Sequence, residues 1–169
     1  MLTEAPKTIT GSDQTTAQDG AGSSPTVVIG LDGTETSWHA FAWSLGEAER
    51  LQGRVVAVLV SSNAAVSTPV SLGTLSGINA CDYGEFERAA DQLALELADR
   101  AVEDGRRAGV KVVFLHRWGD PADQLTKVAV AVHADIIAVG RSTSLLHRLA
   151  GSIGRRLARH KEPIVVIVP

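Results

Sequence analysis

From Thr26 onward, short apolar runs rich in β-branched residues alternate with stretches of helical period. The runs are Thr26–Leu31, Arg54–Val60, Val110–Leu115, Asp135–Val139 and Ile164–Val168. Between them, Trp38, Ala42 and Leu45 lead to a helix that Gly53 is expected to stop, and Phe86, Ala90, Leu93, Leu97 and Ala101 mark a helix over 86–107. Pro121 opens a helix with Leu125, Val128, Ala129 and Val132 as its stripe, and a basic helix through Ile153 and Leu157 ends at Pro163. Strands that are apolar on both faces and alternate with helices predict a parallel sheet covered on both sides. Ligands in such α/β sheets bind beyond the carboxyl ends of the strands, where the strand order reverses. Function is therefore sought in the turns after the first and fourth strands.

Residues 1–25 differ from this pattern. Thirteen of them are Ser, Thr, Gly or Pro, and their large aliphatics are Leu2 and Ile9. Such a stretch buries too little apolar surface to offset its ordering entropy, and it is expected to be a disordered tail before a single domain at 26–169. Residues 61–83, rich in Ser, Ala and Gly, read as a long loop. A formal charge of −3 on 169 residues argues against a nucleic-acid-coating protein. The single cysteine, Cys81, excludes an intramolecular disulfide framework. The apolar runs are too short to span a bilayer and no signal peptide is visible, so no membrane partner and a cytoplasmic location are expected.

The sequence lacks a P-loop, a G-x-G-x-x-G after the first strand and a G-x-S-x-G elbow. His39, His116, His133, His147 and His160 show no metal-ligand spacing, and each reads as a surface or helix-end residue. No metal site and no catalytic residue are expected.

Two readings stand for Asp32, which follows the first strand. Its carboxylate suits a ribose hydroxyl, an amine or Mg²⁺ beside phosphates, and it equally suits capping of the turn together with Thr36 or Ser37. Gly140 opens the turn after the fourth strand, and Gly151-Ser-Ile-Gly154 opens the last helix. Glycines admit close approach of backbone N–H groups to a phosphate, with Ser142, Thr143 and Ser152 as further donors. The same residues also serve as plain loop and helix-start chemistry. Residues 141–161 hold six cations (Arg141, Arg148, Arg155, Arg156, Arg159 and Lys161) and no acid. Arg141 and Arg148 sit at the expected site and either bind an anion or form a solvated basic face. Trp38 and Trp43 read as packing residues, and Trp118 as a pocket wall or a rim residue.

Val28-Ile-Gly-Leu-Asp-Gly33, Gly119-Asp-Pro121, Ala134-Asp-Ile-Ile-Ala-Val-Gly140, Gly151-Ser152 and the closing Pro163-Ile-Val-Val-Ile-Val-Pro169, in this order and spacing, resemble the universal stress protein family. The resemblance implies a three-layer α/β fold with a five-stranded parallel sheet in the order 3-2-1-4-5, and a homodimer through strand 164–168. The family includes members that bind ATP and members that do not. By the same resemblance Asp32 lies near an adenosine, and Gly140, Ser142, Gly151, Ser152 and Ile153 form the phosphate-side loop. The family's nucleotide pattern is G-x2-G-x9-G-[S/T]. Here Thr143 stands where that pattern has its second glycine, and only seven residues separate it from Gly151. Two missing residues shorten the reach by up to ~7 Å, and a β-branched residue at a left-handed position costs about 1–3 kcal/mol. The loop is therefore expected to hold ATP more weakly, or to hold a smaller or differently posed phosphate.

The expected function is that of a non-enzymatic stress-response protein that responds to a nucleotide or other anion. The alternatives are a slow Mg-ATP hydrolase or adenylyl-transfer enzyme using Asp32, and a protein-interaction module with an empty pocket.

Overall fold

The computed structural model describes residues 8–9, 24–61, 83–141, 153–159 and 163–169. Its strands are β1 (Thr8–Ile9), β2 (Thr26–Gly30), β3 (Arg54–Ser61), β4 (Lys111–Trp118), β5 (Ile136–Gly140) and β6 (Ile164–Val168). Its helices are α1 (Glu35–Arg50), α2 (Tyr83–Arg107), α3 (Pro121–Ala131) and α4 (Ile153–Leu157).

Strands β2 to β6 form a parallel sheet in the order β4-β3-β2-β5-β6, the 3-2-1-4-5 order expected. Strand β2 is central, with Val28 opposite Val56 on one side and Ile137 on the other. That position explains its composition, because Val27, Val28 and Ile29 are all fully buried. Val27, Ile29, Val55, Ala57 and Phe114 face α1 and α2, and Val28, Val56, Val58, Ile137 and Val139 face α3 and α4. Each Val, Ile or Phe side chain among them contributes ~1.5–3 kcal/mol on burial.

Four details depart from the sequence expectations. Thr8–Ile9, within the stretch expected to be disordered, pair antiparallel with Phe114 and Leu115 of β4. The open edge of β4 offers unpaired backbone groups that a passing segment satisfies. The rest of residues 1–23 lies outside the described residues, as do residues 62–82 of the expected loop, Cys81 among them. Strand β4 runs on to Trp118 rather than ending at Leu115, because His116, Arg117 and Trp118 continue the ladder against Leu59, Val60 and Ser61. His116 is consequently a buried sheet residue and not a surface one. Finally, it is Gln52 that takes the left-handed conformation (φ 53°) after α1. Gly53 is needed for a different reason, since a Cβ there would meet the Pro25 carbonyl oxygen at 2.2 Å. Of the other histidines, His39 is exposed on α1 and His133 ends α3 at φ 51°, as expected, while His147 and His160 lie outside the described residues.

Candidate functional site at the carboxyl ends of β2 and β5

Leu31 is buried and its N–H donates to the Val58 carbonyl at 2.9 Å, which holds the chain in the sheet one residue past β2. Asp32 then emerges into solvent. Its Oδ1 accepts the Thr34 N–H at 3.0 Å and the Thr34 hydroxyl at 2.7 Å. Gly33, at φ 86°, makes the turn possible. Thr34 in turn caps α1, with its Oγ1 accepting the Ser37 N–H at 3.3 Å and its carbonyl accepting the Ser37 hydroxyl at 2.8 Å. One oxygen of Asp32 thus caps the turn as the plainer reading foresaw, but the helix cap is Thr34 and not Thr36 or Ser37, because Ser37 is the residue whose N–H Thr34 accepts. Its Oδ2 has no hydrogen bond among the described residues.

Gly140 ends β5 against the same turn of helix. A Cβ on it would stand 2.5 Å from the Thr36 carbonyl oxygen and 2.9 Å from the Ser37 nitrogen. Glycine is required here by close approach of two backbones. The next residue, Arg141, donates its N–H to the Val168 carbonyl at 2.8 Å. Its exposed side chain makes no hydrogen bond or ion pair among the described residues. Asp32 and Gly140 therefore flank the first turn of α1, with Arg141 next to Gly140 in the chain, and the free N–H groups and dipole of that turn favour an anion. Ser142, Thr143, Arg148, Gly151 and Ser152 lie outside the described residues. Ile153 opens α4 with a half-buried side chain packed on the core face of α3 and α4. Gly154 is a packing residue, since a Cβ there would meet Ile167 Cδ1 at 2.5 Å.

The basic segment is not uniformly a solvated face. Arg156 donates to Asp120 at 2.7 Å and to Asp123 at 3.0 Å, which ties α4 to the start of α3. Asp120 is the N-cap of α3, accepting the Asp123 N–H at 3.0 Å. The Arg156 guanidinium holds the Asp120 carboxyl below the usual aspartate range. Trp38 and Trp43 pack on the core, Trp38 edge-on to Phe41 at 5.6 Å with the Arg100 guanidinium 3.8 Å above its ring. Trp118 lies 5.3 Å from the His116 ring.

A doubly wound parallel sheet whose strand order reverses between β2 and β5 defines the class as an open α/β domain. The universal stress protein family matches over residues 24–169, and the chain belongs to that family. Among curated proteins the sequence finds no match. Among solved structures, a universal stress protein family member from Burkholderia pseudomallei is 22% identical with a TM-score of 0.66, covering 89% of this chain and 99% of that one. A universal stress protein in complex with cAMP is 23% identical with a TM-score of 0.60, covering 87% and 98%. The universal stress protein from Archaeoglobus fulgidus in complex with dAMP is 18% identical with a TM-score of 0.55, covering 86% and 97%. At these identities the likeness establishes the fold.

Proposed function

We propose that this chain is a stress-response protein that binds a nucleotide or other phosphate-bearing anion across the turns after β2 and β5. The observation that carries the reading is that Asp32 and Gly140 meet at the first turn of α1, with Arg141 next to Gly140, and that Asp32 Oδ2 and the Arg141 side chain make no hydrogen bond or ion pair among the described residues. Asp32 takes the nucleoside side, where a carboxylate accepts hydroxyl or amine donors. Arg141 and Arg148 take the phosphate, with backbone N–H groups around Gly140, Ser142, Thr143, Gly151, Ser152 and Ile153. The complexes of two structural relatives with cAMP and dAMP support a nucleotide as the ligand class. The shortened run between Thr143 and Gly151 favours a ligand other than tightly held ATP. The reading is one of binding rather than turnover, since among the described residues around Asp32 and Gly140 no nucleophile stands against a base.

The protein acts in this reading as a homodimer joined through β6. That strand is the sheet's edge, with Ile164 67% and Ile167 50% exposed, and no charged residue guards it. Among the described residues no helix is long and apolar enough to cross a membrane, and a cytoplasmic setting is part of the proposal.

The test is a mass spectrum of small molecules released when the purified protein is denatured. A stoichiometric nucleotide or phosphorylated metabolite is the expected result. Empty protein that also fails to retain added ATP, AMP and cAMP leaves the interaction-module reading in its place.

A further inference from the structure

A second cluster lies one strand away from the Asp32 turn, on the face of the sheet covered by α1 and α2. Strand β4 presents His116 and Trp118 to that face, beside Leu59 and Ser61 of β3, their register partners. The Ser61 hydroxyl lies 2.9 Å from His116 Nε2. The Asp91 carboxylate, from α2, lies 3.5 Å from His116 Nδ1. The imidazole is the buried member, 3% exposed, whereas Asp91 is 41% exposed and Ser61 is half-buried at the end of its strand. With the imidazole proton on Nδ1, towards the carboxylate, the Nε2 lone pair faces the serine hydroxyl. A hydroxyl held against an imidazole whose far nitrogen faces a carboxylate is the arrangement that makes serine a nucleophile.

We propose that Ser61 is an acyl-accepting nucleophile with His116 as its base and Asp91 as the positioning residue, and that it reacts with small activated carboxylic esters. Ser61 Oγ forms a bond to the ester carbonyl carbon while its proton passes to His116 Nε2. The ester C–O bond then breaks, and the departing alkoxide takes the proton from Nε2. Water repeats the sequence on the acyl-serine, giving its proton to Nε2, releasing the carboxylic acid and restoring the Ser61 hydroxyl. Water is the only co-reactant. Asp91 keeps the imidazole in the required tautomer and stabilises the imidazolium as it forms. Trp118, its ring tilted 42° against the His116 ring, walls the imidazole on its own strand. The assignment gives the chain chemistry that its sequence alone does not announce. It shares no residue with the anion crevice, so either reading can fail without the other.

The experiment treats the full-length protein with a fluorophosphonate, which traps activated serines irreversibly, and separately with p-nitrophenyl acetate. Intact mass and peptide mapping then locate the adduct. One phosphonyl group on Ser61 is expected, absent in Ser61→Ala. His116→Gln should slow labelling about 100-fold or more. Since His116 is buried and its variant can fail to fold, Asp91→Asn supplies the second arm. It should slow labelling at least about tenfold and move the midpoint of the pH–rate profile to lower pH, because imidazolium loses a stabilising neighbour. A merely structural tie between α2 and the sheet would move the melting temperature but not that profile. No adduct on Ser61, an adduct elsewhere, or Ser61 labelling at the wild-type rate in Asp91→Asn would overturn the proposal.

Discussion

A Cβ on Gly140 would stand 2.5 Å from the Thr36 carbonyl oxygen, so the end of β5 and the first turn of α1 are in direct backbone contact. This contact is what brings the fourth-strand turn to the Asp32 side of the crevice. Gly140→Ala should therefore do two things. It should destabilise the protein by about 1–3 kcal/mol through overpacking, and it should weaken anion binding by pushing the turn that carries Arg141 away from α1. Urea unfolding and a ligand titration of the same variant measure both. Unchanged stability would mean that the two elements separate at no cost.

The Arg156 bridge gives a pH signature. The folded-state Asp120 carboxyl is depressed below its unfolded value, mainly by its bond to Arg156. Its contribution to stability is thus fully present above the ordinary aspartate value and is lost as pH falls through the lowered one. Arg156→Met should lower the urea midpoint at neutral pH by a small amount, since both partners are substantially exposed. The gap between variant and wild type should close in acid. A gap that persists below the Asp120 titration would assign the loss to packing of the arginine stem instead.

Strand β6 should set the oligomeric state. Ile164→Glu places a charge on an exposed position of the edge strand, where two copies would meet around a two-fold axis. Sedimentation should show wild-type dimer and variant monomer, with little change in the monomer's own fold. A wild-type monomer at high micromolar concentration contradicts the edge pairing.

The sheet was legible because its strands are apolar on both faces. Val27-Val28-Ile29 announces a central strand by composition, and Ile164–Val168 is bounded by prolines that mark both of its ends. The end of β4 was not legible, because His116-Arg117 looks like a polar stop until its partners on β3 are known. Ser61 is 55 residues from His116 in sequence, and only the register of two parallel strands places them together. Arg156 and Asp120 are 36 residues apart, so a cation that reads as surface charge proves to be a clasp. At the crevice, Asp32 and Gly140 could be read from their positions after strands. That Gly140 exists to admit Thr36, and not only a ligand, required the geometry.

The most direct measurement is calorimetric titration of Mg-ATP, AMP and cAMP into the wild type, Asp32→Ala and Arg141→Ala. The account predicts saturable binding of at least one of these nucleotides, with ATP held more weakly than in relatives carrying the full glycine pattern. Each substitution should weaken the bound nucleotide about tenfold or more, the worth of one charge-assisted hydrogen bond. Tight nucleotide binding that both variants leave unchanged would place the ligand elsewhere and contradict the account.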